Sequence, residues 1–391
     1  MYKKIVSLLS LSIILISCSQ NKTNPDFASD IKILNNIEDI SILQDGDAMI
    51  AVSGLCQGRV FTSSSKGTDG LSYGYFNRDI IKEGNALTKL SAIGGEGRMW
   101  FGPEIGKYAI FFDPDKEQIV PNIKISPQLN TQAFLELERT EHSITYGNKM
   151  EIRNANHFIF KLDAQRKITL KTRDTIKKDL SINLDKNISH VAFSIESQIK
   201  NLNQEQWTKE KGLLSIWDIS CIIPSPKSMV IIPCRNNIKA ATTYFTNLND
   251  ERIQVKNGTV FYKADAQYMN KIGIQPEFCT NTFGSYSPEF NLLTIVKYNF
   301  EDDSIYVNSL WNHQEPYKGD VINVFNGEVN PAEDRNWPFY ELETSSSSKE
   351  LMPNDSLYHS HTVYHFEGNK EALSKISKDV LGVSLNDIPL Q

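Results

Sequence analysis

The chain lacks most of the features that would assign it quickly. It has no basic excess: 41 lysines and arginines stand against 47 aspartates and glutamates, for a formal net charge of −6. A nucleic-acid binder needs a basic face to neutralise phosphates, so this balance argues against that class of partner. After the first residues there is no apolar run of the roughly 20 residues that a membrane-spanning helix requires. Cysteines number five, in spacings that match no zinc pattern. There is no nucleophile elbow, no P-loop and no dinucleotide fingerprint. No repeat of fixed period appears, and no Pro- or Ser-rich linker divides the body. These absences leave no cofactor or metal implied by motif.

The N-terminus carries the most specific signal. Lys3 and Lys4 precede an apolar run from Ile5 to Ile16, too short to span a bilayer, and small Ser17 stands directly before Cys18. That is the pattern of a lipoprotein signal, with residues 1–17 removed and Cys18 lipidated. Several acyl chains on one cysteine anchor a protein far more firmly than one. Ser19 and Gln20 follow, with no acidic residue close behind. An outer-membrane anchor facing the periplasm is therefore expected, and residues 18–30 read as a polar tether. Cys56, Cys221, Cys234 and Cys279 remain, and an oxidising compartment would let them pair. A Cys221–Cys234 bridge across a hairpin and buried free thiols are both open.

The body, 31–391, is rich in short runs of Val, Ile, Phe and Tyr separated by turn residues, which predicts strands. Val255–Val260 sets Asn257-Gly258 between two such runs, a strong hairpin signal. One helix stands out: 370–381, with Leu373, Ile376, Val380 and Leu381 on one stripe and Gly382 as its cap. An all-β fold of large antiparallel sheets with few short helices is the expectation.

Three stretches are dense in chemistry-bearing residues. The first, Gly94–Glu104, holds Glu96, Arg98, Trp100 and Glu104 among four glycines. Arg98 and Trp100 share a face if this is a strand, and could grip a hydroxylated ring through the guanidinium and the indole. A turn in which Arg98 pairs with Glu96 or Glu104, and Trp100 is core, reads equally well. The second holds Glu341 and Glu343, alternating with Tyr340 and Leu342. Paired carboxylates on a pocket wall can divide acid and base roles; two solvated carboxylates on an exposed face is the plainer alternative. The third gathers His359, His361 and His365, three of seven histidines, on one strand face. That could be a metal site, an acid/base relay or simply a polar strand face. Asn77-Arg78, after an aromatic run, and the stretch Asn308 to His313 are smaller flags.

At these stretches the chain resembles an uncharacterised domain-of-unknown-function family of Bacteroidetes lipoproteins with a galactose-mutarotase-like fold. The matching segments are Phe76–Asp79, Gly94–Glu104 with Ala109–Phe112, Lys211–Trp217, Phe261–Asp265, Gly284–Tyr286 with Leu293–Val296, and Pro338–Glu343 with the histidine strand. The resemblance implies one β-supersandwich over 31–391 with a sugar-binding face. Asn77-Arg78 is similar to an early Asn-Arg pair of aldose 1-epimerases, and Leu342-Glu343-Thr344 to the strand bearing their catalytic base. The histidine that normally precedes the Gly-Gly loop is missing before Gly94-Gly95, and no counterpart of the central histidine acid is found.

What the resemblance implies is a lipid-anchored carbohydrate-binding protein. Arg78, Arg98, Trp100 and Glu343 would line the face, with Asn77, Glu96, Glu104, His359 and His365 as further ligand contacts. An epimerase would use Glu343 as base and a histidine of the last strand, His361, as substitute acid, with Glu341 beside them as a further catalytic candidate. A non-catalytic envelope scaffold is the remaining possibility.

Overall fold

The computed structural model describes residues 25–311, 314–333 and 335–389. The expected signal segment 1–17, Cys18 and His313 lie outside them. Strands dominate, in three antiparallel sheets of ten, seven and three strands. The chain is built around the two larger ones. In the ten-stranded sheet the histidine strand Ser356–Glu367 lies between Leu292–Tyr298 and Ser189–Asn201. In the seven-stranded sheet, Tyr340–Ser345 lies between Ile322–Asn330 and Ser215–Ile222, with Gln267–Ile274 and Arg98–Gly102 farther out.

The sheets stack because each strand between them sends alternate apolar side chains inward. Leu342, Val324, Ile272, Ile216 and Ile222 from the smaller sheet join Ile168, Ile195, Val296 and Val363 from the larger in one buried cluster. Tyr340 and Ser285 hydrogen-bond across the gap at 2.8 Å. A buried ion pair also crosses it: Arg166 Nη2 donates to Asp218 Oδ1 at 3.0 Å.

Local sequence accounts for the connections. Asn257 and Gly258 both adopt positive φ, 51° and 73°, as the two-residue hairpin between Ile253–Lys256 and Thr259–Lys263 requires. The helix Lys370–Leu381 starts at Asn369, whose side chain accepts from Ala372 N, and stops at Gly382 with φ 70°. Its Leu373, Ile376 and Leu381 cover the outer face of the ten-stranded sheet through Ile231, Phe261 and Phe366. No helix among the described residues is long and apolar enough to cross a membrane.

One expectation needs correction here. The polar stretch expected to run as a tether through Asp30 is folded from its last residues: Phe27–Leu34 is a helix capped by Asp26. Phe27 and Asp30 are fully buried, and Asp30 accepts from Ser72 and from both Nε and Nη2 of Arg78. Of the two alternatives open for the cysteines, free thiols hold: Cys56, Cys221, Cys234 and Cys279 are unbridged, the first two and Cys279 buried.

Candidate functional site

Two-residue periodicity decides which side chains face out of the seven-stranded sheet. Glu341 pairs in register with Cys221 on one side and Phe325 on the other, and Phe325 pairs with Lys271. Directly paired residues share a face, so these four project to the same side. Glu343, Trp217, Arg98 and Trp100 belong to that side too, with Trp100 opposite Trp217. The even-numbered residues Ser220, Leu342 and Thr344 point the other way, into the sandwich.

The outward face forms a cleft of about 440 Å³. Its floor is polar. Arg98 Nη2 donates to Glu341 Oε1 at 2.9 Å, and Cys221 Sγ donates to the same oxygen at 3.2 Å. Lys271 Nζ and Trp217 Nε1 both donate to Glu343 Oε2, at 2.8 and 2.9 Å. The Arg98 guanidinium stands over the Trp100 ring, and the Lys271 ammonium over the Trp217 ring, each 4.5 Å from the centroid. Buried pairs of this kind are costly to desolvate and lose heavily if one partner is removed. Three buried polar atoms on this floor have no partner: Arg98 Nε, Trp100 Nε1 and Glu343 Oε1. Native proteins rarely leave such groups idle.

Burial and neighbouring charge set the protonation of the floor. Burial pushes the Glu343 carboxyl up to about 7; Lys271 opposes this and Glu341 adds to it. Burial also raises Glu104, which lines the cleft. Burial works against the charge on Lys271, but Glu343 and then Glu104 outweigh it, and its pKa is raised. Arg98 is likewise raised, with Glu341 overcoming burial.

The walls are aromatic. Tyr75 and Phe339 stack at 4.6 Å between centroids, and Phe325 lies 5.9 Å from Phe339. Trp337 and Phe245 reach the same cleft from two loops.

The expected site residues divide. Asn77, Arg98, Trp100, Glu104 and Glu341 line the cleft. Glu343 lies in its floor, fully buried beneath Lys271 and Trp217. Glu341 and Glu343 are thus neither solvated nor exposed, and Arg98 pairs with Glu341 rather than with Glu96 or Glu104. Asn77 also caps a short helix, accepting from Ile80 N.

The others lie elsewhere. Arg78 is held by Asp30 and stands over Phe76, away from the cleft lining. His359, His361 and His365 share a strand face, but it is the face turned into the sandwich. His359 Nε2 and His361 Nδ1 each lie 2.8 Å from Thr344 Oγ1, and His361 Nε2 lies 2.9 Å from Ser220 Oγ. His365 contacts Thr294 and Glu96, and Ser63 donates to that same Glu96 oxygen. All three histidines and Glu96 are buried core residues. Burial lowers the His359 pKa to about 3 and holds His361 well below the usual histidine range.

Sequence reasoning did not single out Lys271, Phe245 or Phe325, and missed the part Trp217 plays. Lys271 did leave a trace: it is a lone cation in the otherwise uncharged strand Gln267–Ile274. A lysine inside a sheet is almost never fully buried unless paired.

The model of the family of unknown function DUF6786 matches residues 25–391, and the chain belongs to that family. No curated protein matches the chain in sequence. Among solved structures, the chain is similar to a candidate aldose 1-epimerase from Escherichia coli. The two are 10% identical, with a TM-score of 0.49 over 83% of this chain and 98% of that one. It is similar to a galactose mutarotase-like protein from Lactobacillus casei at 8% identity, with a TM-score of 0.49 over 83% and 99% of the two chains.

Proposed function

We propose that this member of a family of unknown function binds a neutral carbohydrate in the cleft above Glu341 and Glu343. One observation carries the reading. Two carboxylates, each tied to its own cation, form the floor of a pocket whose walls are aromatic. Sugars present exactly these two needs, hydroxyls that seek fixed donors and acceptors and C–H faces that pack on rings. Arg98 and Lys271 are both already committed to carboxylates. Neither is free to neutralise a ligand's charge, so the cleft favours an uncharged sugar over an acidic one. The lipoprotein signal supports placing this activity at a membrane surface through Cys18, in the periplasm. Mass spectrometry of the purified protein tests that part: an acylated N-terminal peptide beginning at Cys18 is expected, and an unmodified Met1 terminus would refute it.

A second reading, sugar epimerisation, has one observation in its favour. Burial pushes the Glu343 carboxyl up to about 7, a value matched to proton transfer at neutral pH. Its acid partner would come from the cleft, where Glu104 is also raised. Polarimetry of freshly dissolved α-glucose and α-galactose separates the two readings. Faster mutarotation that disappears in Glu343→Gln makes the protein an epimerase. Binding by calorimetry without acceleration leaves it a binding protein, and neither effect on any neutral sugar refutes the carbohydrate reading.

A further inference from the structure

The aromatic wall continues past the polar floor and into solvent. Tyr75 stacks on Phe339 at 4.6 Å, Phe339 meets Phe325 at 5.9 Å, and Phe325 meets Trp337 at 6.2 Å and Phe245 at 6.5 Å. The inner members are half-buried. The outermost two are not: Phe245 is 46% exposed and Trp337 39% exposed. They arrive from separate parts of the chain, one after the short strand Thr242–Thr243 and one before Tyr340–Ser345, and converge on Phe325. A shared core does not explain them, because their outer surfaces meet water. Exposed apolar patches joined to a polar pocket mark interaction surfaces.

From this arrangement we infer that the cleft takes the end of a linear neutral oligosaccharide, not a single sugar. The inference rests on the carbohydrate reading above. The terminal residue sits over the polar floor, where Arg98, Lys271 and Glu341 line the cleft. The following residues run outward along Phe339 and Phe325 to Trp337 and Phe245. A glycan suits this path better than an apolar peptide does. Pyranose rings pack on aromatic faces while their hydroxyls stay wet, and the wall offers separate rings in succession rather than one continuous apolar groove. The continuity of the wall with the polar floor makes the two parts one site.

The test uses the full chain in detergent micelles. A neutral glycan array first identifies a series. Affinities for its monosaccharide, disaccharide and tetrasaccharide are then read from quenching of tryptophan fluorescence, for which Trp100, Trp217 and Trp337 in the cleft are the natural reporters. The tetrasaccharide is expected to bind at least about tenfold more tightly than the monosaccharide, the scale of one well-packed aromatic contact. Trp337→Ala should bring that ratio towards one, and Phe245→Ala should lower it. Glu341→Gln should weaken both ligands and keep the ratio. A monosaccharide that binds as tightly as its tetramer overturns the inference and leaves carbohydrate binding intact. A normal ratio in Trp337→Ala overturns the assignment of the wall. If no neutral glycan on the array binds, both the inference and the reading beneath it fail.

Discussion

Glu343 and His361 approach the same strand from opposite sides. Glu343 projects outward to Lys271 and Trp217, whereas His361 lies inside the sandwich, hydrogen-bonded to Thr344, the next residue along. No rotamer change carries either side chain through a hydrogen-bonded sheet. The two cannot act on one substrate, and His361 belongs to the structure's interior.

Substitution should separate these roles. His361→Gln is expected to leave sugar affinity within about twofold of the parent while costing on the order of 1–3 kcal/mol of stability, the usual penalty for a disturbed buried hydrogen bond. Calorimetric binding alongside chemical denaturation reads both quantities. A large affinity loss with unchanged stability would return His361 to the site.

Lys271 is the cation on which Glu343 depends. Lys271→Met leaves a carboxyl without its partner in a buried floor, and a loss of about 3–5 kcal/mol is expected. The double variant Lys271→Met, Glu343→Gln should recover part of that loss, because it leaves no unpaired charge. Urea midpoints of the four proteins in this cycle give the coupling.

The two sets of buried titratable groups make opposite demands on pH. His359 is held near 3 in the fold and the unfolded chain protonates near 6.5. Its contribution is present above that value and lost as pH falls towards 3. Glu343 is held near 7, whereas the unfolded chain ionises near 4.5. Between these values the native state keeps a proton that the unfolded state has released, so its contribution is lost as pH rises through 7. Thermal melts of Glu343→Gln and the parent should therefore diverge in favour of the variant from pH 5 to pH 8. A difference that stays constant across that range would show that Glu343 ionises normally.

Charge on the ligand supplies a further check. Oligosaccharides of matched length, one neutral and one bearing a uronic acid at the terminus seated on the floor, should differ by at least about tenfold in favour of the neutral one. The acid brings a charge to a floor with no uncommitted cation. Equal affinities would mean that one of the two ion pairs opens on binding.

Local features of the fold were legible because short-range chemistry determines them. Asn257-Gly258 made its hairpin, and the stripe from Leu373 to Leu381 with Gly382 made its helix, each within a few residues. Arg98 and Trp100 were placed on a common face, as were Glu341 and Glu343, because that needs only the strand period. Which face was the difficulty. Period two says that His359, His361 and His365 lie together, but whether a strand's odd positions meet water or another sheet depends on how distant segments stack. The partners of Arg98 and Glu343 lie 243 and 72 residues away, at separations where spacing along the chain carries no information. Arg78 was misplaced for a similar reason. Its partner Asp30 sat in what read as a tether, and only the folded helix Phe27–Leu34 brings the two together.

Along Tyr340–Ser345 the cleft and the core are written in alternate letters, with Glu341 and Glu343 on one side and Tyr340, Leu342 and Thr344 on the other. The two sets therefore answer to different neighbours. A substitution at an odd position acts on the ion-paired floor of the cleft, and one at an even position on the histidine-braced interior. A deletion of a single residue in the same strand has no such selectivity. It would exchange the two sets at once, burying the charges between the sheets and turning Leu342 out to the solvent.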